Sequence, residues 1–318
     1  MKILVVGGSG FIGTRLVSLL ISEGHDVTIY DKLKSNTYPE LTIVGDIRDI
    51  QSLKVASKGF DIIYNLAAEH ADNVSPISLY YDVNVDGTEN VVKAAEENGI
   101  YKIIFTSSVA IYALNSGDPK EDNAVAPFND YGKSKWEAEK VLSKWLKEDE
   151  TRSLSIVRPS VVFGEGNRGN VYNLINQVSS GRFLMVGSGK NYKSMAYVGN
   201  VANFLLKQIV NGAGNHIYNY ADKPDLSSRE IVDIVKAEMA IATKFPTLPY
   251  SVGMLAGHTL DIVSKVTNIK FPVSAVRIKK FCADTTVNSD AAMSSGFNPS
   301  YTLKDGLVNM INHDFKKK

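Results

Sequence analysis

Tyr131 and Lys135 are the two residues whose types and spacing most directly predict chemistry. They lie four residues apart in NDYGKSKWEAEK (129–140), a stretch with the composition of a charged, solvent-facing helix. Residues four apart share one face of a helix, so the lysine ammonium would lie near the phenol. A positive charge lowers the pKa of a phenol and makes it a usable base near neutral pH. The pair therefore predicts a general base, whereas the alternative is a packed phenol beside a solvated lysine.

A third reactive group is predicted at the end of the strand-like run that precedes this helix. FTSSVAIY (105–112) supplies two adjacent serines there, Ser107 and Ser108. Open α/β sheets bind ligands at the carboxyl ends of their strands. Either serine is therefore a candidate for a hydroxyl beside the phenol.

The stretch GGSGFIG (7–13) predicts a dinucleotide-binding turn, because it follows an apolar run and opens a helical pattern. Gly7 permits a tight turn, Gly10 lets the backbone approach a pyrophosphate, and Gly13 allows the helix to pack closely on the strand. The N-terminus of that helix adds free N–H groups and the positive end of its dipole. Together these features indicate a site for a dinucleotide cofactor.

Asp31 indicates which dinucleotide, because it ends the second strand-like run, 18 residues after Gly13. A carboxylate there accepts both hydroxyls of the adenosine ribose and repels a 2′-phosphate, which favours NAD over NADP. Lys32 and Lys34 argue for the opposite choice, since they could bind such a phosphate. Asp46, after the third run, is either an adenine contact or an ordinary turn acid at a strand end.

Alternating strand and helix patterns supply the framework for these residues. Runs rich in Val, Ile and Leu recur at 2–6, 26–31, 41–46, 61–67, 102–108 and 154–160. Such runs, separated by helical patterns, are typical of parallel strands buried on both faces. The sequence therefore predicts an α/β fold, a Rossmann-type doubly wound parallel sheet with a smaller C-terminal substrate-binding domain. We assign 1–162 to the NAD-binding domain, with 194–212 returning to it, and 163–193 and 213–318 to the substrate-binding domain.

Composition excludes several classes of protein. The 318 residues are 44% hydrophobic and carry a net charge of +1, so no overall positive field attracts nucleic acid. A single cysteine excludes an internal disulfide and a Cys-rich metal site, and the five histidines lack ligand spacing, so we expect no metal. The chain starts directly with a strand-like run, which predicts a cytoplasmic protein without a signal peptide.

These motifs resemble the extended short-chain dehydrogenase/reductases, and among them the NAD-dependent sugar epimerase and dehydratase family. The resemblance spans essentially the whole chain and is carried by GGSGFIG, Asp31, GDI (45–47), NLAA (65–68), YYDVNVDGT (80–88), FTSSVAIY and YGKSK. It implies that Tyr131 is the base, that Lys135 holds the nicotinamide ribose and tunes the phenol, and that Ser108 bridges the proton, with Ser107 as the alternative. It also implies tightly bound NAD, contacted by Gly7, Gly10, Phe11, Ile12, Gly13, Asp31, Asp46, Ile47, Leu66, Ala67, Ala68, Asn84, Tyr131, Lys135 and Pro159.

The residues after Ser108 narrow the reaction that the resemblance implies. Dehydratases of this group carry an Asp-Glu pair at this point and sugar decarboxylases carry a Glu, whereas this chain has Val109 and Ala110. Dehydration is therefore disfavoured, and Asp31 disfavours a reductase that exchanges NADP. Epimerisation through a 4-keto sugar remains. The alternatives are a sugar reductase or dehydrogenase that releases its cofactor at each turnover, and a non-catalytic NAD-sensing scaffold.

Substrate contacts are predicted from the part of the chain that follows residue 160. Arg168, Lys193 and Arg277 are candidates for binding a diphosphate, and Ser108 and Asn170 complete the predicted substrate-binding set. The family usually has an arginine-aspartate-aromatic string where this chain has Lys193, Ser194 and Met195, and an acid where it has Asn200. These departures put the family's usual phosphate contact in doubt.

A narrower resemblance concerns the sugar and its carrier. AAEHADNVSPISLYYDVNV, NRGNVYNL, NYKSMAYVGN and VRIKKFCA look like bacterial O-antigen epimerases that interconvert N-acetylglucosamine and N-acetylgalactosamine on undecaprenyl diphosphate or UDP, with UDP-glucose and UDP-galactose as the alternative pair. The apolar segment 245–266, flanked by Lys244 and Lys265, is too short to span a bilayer. It would lie either at the cytoplasmic face of the inner membrane or over the core of the substrate-binding domain.

The family resemblance also implies a homodimer through the two long helices after strands four and five.

Overall fold

The computed structural model describes residues 1–71, 74–267 and 274–316, with backbone alone at 265 and 266. Its strands are β1 (Lys2–Val6), β2 (Asp26–Asp31), β3 (Thr42–Val44), β4 (Ile62–Asn65), β5 (Lys102–Thr106), β6 (Ser153–Pro159), β7 (Val161–Phe163), β8 (Met185–Val186), β9 (Tyr192–Tyr197), β10 (Gly214–Tyr220), β11 (Asp222–Ser227) and β12 (Thr247–Leu248). Its α-helices are α1 (Phe11–Ser22), α2 (Ile50–Ala56), α3 (Ser78–Tyr81), α4 (Gly87–Glu97), α5 (Asp130–Lys147), α6 (Asn170–Ser179), α7 (Val198–Lys207), α8 (Ser228–Glu238), α9 (Tyr250–Thr267), α10 (Ala275–Cys282), α11 (Asp290–Ser294) and α12 (Leu303–Asp314).

The large sheet is parallel throughout and has the order β10-β6-β5-β4-β1-β2-β3. Alternate residues of β1 face opposite layers: Ile3 and Val5 pack in the core formed with α1 and α7, whereas Leu4 and Val6 pack with α2, α4 and α5. Burial on both faces explains the near-continuous Val, Ile and Leu runs. The predicted Rossmann-type architecture is confirmed.

A smaller assembly lies beyond the large sheet. Strands β7, β9 and β11 form a three-stranded sheet, and β8 pairs with β12. Their core includes Phe163, Ile175, Val235 and Met310 from β7, α6, α8 and α12. The predicted division into two domains stays a prediction, but β10, which we assigned to the substrate-binding part, is the edge strand of the large sheet beside β6.

Several predicted strands end earlier than expected. The run 61–67 is a strand only over Ile62–Asn65, and the run 102–108 only over Lys102–Thr106. The remaining residues leave the sheet at its carboxyl edge and form loops. Ser108 then begins a short 3-10 turn, Val109–Ile111. Between α3 and α4 the chain continues as a π-helical turn, Asp82–Asp86, which carries Asn84.

Candidate active site

The turn between β1 and α1 has the geometry predicted for a dinucleotide site. Gly7 adopts a φ of +83°, and a Cβ there would lie 2.5 Å from the backbone nitrogen of Ala67. A Cβ at Gly13 would lie 2.6 Å from the Gly7 carbonyl oxygen, so this glycine is needed for close packing. Gly10 caps α1 without a side-chain hydrogen bond, which leaves the helix N-terminus open to an anion, beside Phe11 and Ile12. This cradle fits the pyrophosphate of NAD.

Asp31 lies beside that cradle. Its carboxylate accepts hydrogen bonds from the backbone N–H of Ser9 and of Leu33, both at 3.0 Å. The glycine-rich turn and the end of β2 are therefore held together at the place where the adenosine ribose would lie. The ribose contact itself stays a prediction.

Asp46 forms a local pair with Arg48. Its carboxylate accepts hydrogen bonds from Nε and Nη2 of Arg48 at 3.0 and 2.6 Å and from the Arg48 backbone N–H at 3.0 Å. These bonds from Arg48 hold the pKa of Asp46 below its usual value. The geometry is that of a turn acid at a strand end, and its adenine contact stays a prediction. The next residue, Ile47, packs against Gly87, where a Cβ would lie 2.9 Å from the Ile47 side chain.

Asn84 braces the loop after β4. Its side chain accepts a hydrogen bond from the Glu69 backbone N–H at 2.8 Å and donates to the Glu69 carbonyl at 3.0 Å. It also donates to the Ser134 hydroxyl on α5 at 2.9 Å. The loop that carries Leu66, Ala67 and Ala68 is thereby attached to the helix that carries the phenol.

Buried hydroxyls give a second test of the fit to a cofactor. In the described part of the chain, the Thr106 and Ser160 hydroxyls have no hydrogen-bond partner, although both side chains are buried. They lie at the carboxyl ends of β5 and β6, the second next to Pro159. Buried polar groups are ordinarily paired. Their position suits a ligand that carries polar groups along this edge of the sheet.

Gly132 explains the Tyr-Gly pair at the start of α5. A Cβ at this position would lie 2.1 Å from the carbonyl oxygen of Ala110, in the 3-10 turn after Ser108. Asn129 caps the helix by accepting a hydrogen bond from the Gly132 N–H at 2.9 Å. Glycine thus lets the first turn of α5 lie directly against that 3-10 turn. This contact brings Tyr131 to Ser108.

The phenol and the ammonium are tuned differently from the prediction. Burial raises the pKa of Tyr131, a hydrogen bond with Ser108 lowers it, and the neighbouring Tyr80 raises it; the net direction is upward. Burial lowers the pKa of Lys135 to about 7, against the charge of Glu139, which raises it. The expectation that Lys135 lowers the pKa of the phenol is therefore not met. The physical reason is that both groups are desolvated and the Lys135 Nζ lies over the Phe105 ring, 4.1 Å from its centre.

The two serines have different partners. The Ser107 hydroxyl is buried and donates a hydrogen bond to Oε1 of Glu139 at 2.5 Å. The Ser108 hydroxyl accepts a hydrogen bond from the Ala110 N–H at 3.1 Å and is hydrogen-bonded to the Tyr131 phenol. The structure thus brings Ser108 to Tyr131, on the helix that also carries Lys135, whereas Ser107 is engaged elsewhere.

The predicted substrate-binding residues are carried by different elements of the fold. Arg168 is exposed, lies over the Tyr172 ring at 4.2 Å and pairs with Asp314 at 3.4 Å. Asn170 is the exposed first residue of α6, and Arg277 lies on the exposed side of α10.

Lys193 has a structural role that the sequence did not predict. Its Nζ donates hydrogen bonds to the carbonyls of Lys280 and Ala283 at 2.9 and 2.6 Å, at the C-terminal end of α10. Burial lowers the pKa of Lys193 to about 8. Two of the three ammonium protons are therefore engaged by the chain itself. Diphosphate binding by these residues stays a prediction.

Sequence reasoning missed the side chains that surround the reactive groups. Tyr80 packs near the phenol, with ring centres 6.4 Å apart. Glu139 and Arg158 form a fully buried ion pair behind it. A signal existed for both: Glu139 lies eight residues after Tyr131 on the same helical face, and Arg158 interrupts an apolar strand. A charged residue where the pattern predicts burial indicates a buried partner.

Comparison with known proteins places this arrangement in a family. Residues 3–221 match the model of the NAD dependent epimerase/dehydratase family. The chain is 52% identical over 318 residues to N-acetyl-alpha-D-glucosaminyl-diphospho-ditrans,octacis-undecaprenol 4-epimerase of Escherichia coli O157:H7, covering 99% of this chain and 95% of that protein. It is 33% identical over 285 residues to UDP-glucose 4-epimerase of Vibrio cholerae, covering 84% and 85%.

A solved structure shares the fold at low sequence identity. UDP-N-acetylglucosamine 4-epimerase from Bacillus cereus matches with a TM-score of 0.78 and 16% identity, over 100% of this chain and 98% of that one. The family motifs, the relatives and the fold agree. This chain belongs to the NAD dependent epimerase/dehydratase family.

Proposed function

We propose that this protein is an NAD-dependent 4-epimerase that interconverts N-acetylglucosamine and N-acetylgalactosamine on a diphosphate carrier, in the synthesis of O-antigen precursors. The observation that carries the proposal is the 52% identity to the undecaprenyl-diphosphate-linked N-acetylglucosamine 4-epimerase over 99% of the chain. The site geometry supports it, because a phenol hydrogen-bonded to Ser108 follows a turn that contains no acid.

In this proposal the residues of the chain move one proton. Tyr131 accepts the proton of the sugar 4-hydroxyl, Ser108 bridges that proton, and Tyr131 returns it after the keto sugar has turned over in the pocket. Lys135 holds the nicotinamide ribose. Bound NAD supplies the acceptor and donor of hydride at C4. Gly7, Gly10, Gly13 and Asp31 retain the cofactor, so that it stays bound through many turnovers.

The residues of the site disfavour two competing reactions, dehydration and reduction. Elimination of water requires an acid near the base, and Val109 and Ala110 occupy the positions after Ser108. A reductase that exchanges its cofactor would use NADP, which Asp31 disfavours. A UDP-glucose and UDP-galactose epimerase is the nearest alternative, and it is supported by the 33% identity to the Vibrio cholerae enzyme.

A lipid carrier is supported by α9. Gly253 and Gly257 lie on one face of this helix, where a Cβ would lie 2.6 Å from Val186 and 2.8 Å from the Ala275 nitrogen, so that this face packs on β8 and α10. The opposite face exposes Leu255 and Ile262, which are 69% and 64% exposed. Among the described residues, no helix could cross a bilayer.

An apolar stripe on a packed helix suits contact with a membrane surface. Lys244, before α9, is exposed, whereas the side chain of Lys265 lies outside the described part of the chain. We therefore place the enzyme at the cytoplasmic face of the inner membrane, with 245–266 toward the lipid.

The remaining partner is a second copy of the chain. The family resemblance suggests a homodimer through α4 and α5, and light scattering should then give twice the chain mass of 34.8 kDa.

The decisive experiment supplies each carrier separately. The purified enzyme is incubated with UDP-N-acetylglucosamine and with N-acetylglucosamine on a polyprenyl diphosphate, and the sugar of each product is identified. We expect N-acetylgalactosamine from the polyprenyl substrate without added cofactor. Conversion of UDP-N-acetylglucosamine alone would reassign the carrier. Product formation that consumes added NADH or NADPH would identify a reductase.

A further inference from the structure

A buried ion pair lies directly behind the reactive groups. Arg158 on β6 donates from Nε and Nη2 to the two carboxylate oxygens of Glu139 on α5, at 3.0 and 2.7 Å. The exposed fractions of the two side chains are 2% and 1%. The Ser107 hydroxyl donates to the same carboxylate, and Nη1 of Arg158 donates to the Tyr112 hydroxyl at 2.8 Å. The pair thus joins the ends of β5 and β6 to the helix of the base.

Glu139 is also the carboxylate whose charge acts on the buried ammonium of Lys135. It follows Lys135 by one helical turn, so the two side chains share a face of α5. The Lys135 side chain is 1% exposed and its Nζ lies over the Phe105 ring. Burial removes most of the hydration that stabilises an ammonium. A nearby negative charge is therefore an important source of stabilisation for its charged form.

Stability alone does not account for such a pair. A buried ion pair gives up the hydration of two charges, and replacing it by packed apolar residues is often neutral or stabilising. Here the pair is placed where its charges act on a reactive lysine and where its hydrogen bonds fix one of two adjacent serines. Both effects bear on the reaction and not only on the fold.

We propose that Glu139 and Arg158 are positioning residues of the epimerase. The Glu139 carboxylate holds Ser107 away from the phenol and keeps the Lys135 ammonium charged. The Arg158 guanidinium weakens the effect of that carboxylate on Lys135. This inference rests on the proposed function, because it concerns the groups that move the sugar proton. Neither side chain touches the reacting atoms in this scheme. Both act through Lys135 and Ser107.

The charges around the site determine the sign of the effect. Tyr131 and Glu139 are on the same helix as Lys135, Arg158 is on β6, Tyr112 follows the 3-10 turn, and Tyr80 is on α3. Removing the Glu139 charge leaves the Arg158 guanidinium without its counter-charge, and this positive charge lowers the pKa of Lys135. Removing the Arg158 charge leaves the Glu139 carboxylate without its counter-charge, and this negative charge raises the pKa of Lys135. In this proposal the charged lysine is the active form, so activity is lost as pH rises through this pKa.

The test compares Glu139→Gln with Arg158→Gln in the NAD-loaded enzyme. The rate is measured against pH with the substrate that the unmodified enzyme converts. We expect the alkaline limb of kcat to move to lower pH in Glu139→Gln and to higher pH in Arg158→Gln, each by about one pH unit. If the Glu139–Arg158 pair served only the stability of the fold, both variants would be less stable. The alkaline limbs of kcat would then stay in place or move in the same direction. Either of those results overturns the proposal.

Two further measurements separate folding from charge. Thermal unfolding and the NAD released on denaturation are recorded for every variant, so that a misfolded sample is recognised. If a single variant does not fold, the double variant Glu139→Gln/Arg158→Gln carries the test, because it leaves no charge buried without its partner. Its limb should lie at lower pH than that of the unmodified enzyme, since Glu139 is the charge that raises the Lys135 pKa, and an unchanged limb overturns the proposal. Failure of the unmodified enzyme to epimerise any substrate would instead contradict the proposed function.

Discussion

At the scale of single residues, Tyr131 is a phenol whose surroundings favour the protonated form. Burial raises its pKa, and the hydrogen bond with Ser108 is the contact that opposes this rise. Tyr131 can accept the sugar proton only as the phenolate, so the proposed chemistry needs a contact that stabilises this form. This makes the bridging hydroxyl essential to the proposed chemistry.

Replacing Tyr131 with Phe removes the proposed base and keeps the ring. We expect kcat to fall roughly 100-fold to 10,000-fold, the usual contribution of a general base. NAD should stay bound, since the phenol is not part of the glycine-rich cradle. The rate of epimerisation and the NAD content per chain are measured together, and near-normal turnover would exclude Tyr131 as the base.

The serines give a matched pair of variants. Ser108→Ala removes the hydrogen bond to the phenol, and kcat should fall roughly 10-fold to 100-fold, because a hydrogen bond to a charged group contributes about 1.5–3 kcal/mol. Ser107→Ala removes a hydrogen bond to the buried Glu139 carboxylate, and its larger effect should be a loss of about 1.5–3 kcal/mol in the free energy of unfolding. Kinetics and chemical denaturation of both variants check this, and the reverse ranking of kcat would assign the bridging role to Ser107.

Asn200 shows a departure from the family with a physical cause. Its Nδ2 donates to Oδ1 of Asp222 at 3.0 Å, and both side chains are buried. Burial raises the pKa of Asp222. An acid at 200 would place a second carboxylate against this one, whereas an amide donates a hydrogen bond to it. The substitution is thus explained by a residue 22 positions away.

At the scale of elements, the site depends on how closely α5 lies against the 3-10 turn after β5. Gly132→Ala would place a methyl group 2.1 Å from the Ala110 carbonyl, so one of the two elements must move. We expect a loss of about 1–3 kcal/mol in unfolding free energy and at least a tenfold fall in kcat. Ser143→Ala, on the same helix, is the control. Equal stability and rate in the two variants would show that the close contact does not position the phenol.

The exposed face of α9 leads to a prediction about membranes. Leu255→Asp combined with Ile262→Asp places charge on that face and should reduce binding to vesicles that contain anionic lipid by at least tenfold in a sedimentation assay. Activity on the UDP-linked sugar, if present, should change little, because the face lies opposite the packed side of the helix. Val55→Asp is the control, since Val55 is 68% exposed but lies on α2. Loss of vesicle binding in the control as well, or in neither variant, would contradict a role for α9.

At the scale of the whole molecule, the cofactor cradle and the reactive groups lie together at the carboxyl ends of the strands of the large sheet. We expect the purified protein to contain close to one NAD per chain and to need none added. Asp31→Ala should lower that content, because it removes both the predicted ribose acceptor and the link between Ser9 and Leu33. Absorbance of the supernatant after denaturation measures the bound NAD. Unchanged retention in the variant would exclude the ribose contact.

The sequence by itself determined what depends on local spacing. The glycine turn, the acid at the end of β2, the parallel sheet and the i, i+4 phenol–lysine pair all follow from short-range periodicity, because backbone geometry translates such spacing directly into position. The absence of acids at Val109 and Ala110 could also be read from the chain alone. These features were enough to predict the fold and the family.

Only the tertiary structure decided the features that depend on distant partners. Ser107 is engaged by Glu139, 32 residues away, and Lys193 by carbonyls 87 and 90 residues away. The predicted lowering of the Tyr131 pKa was wrong for the same reason: burial, which only packing creates, outweighs the effect of spacing along the helix. Charge and hydrogen bonding are set by what surrounds a group in space, and a linear pattern does not contain that information.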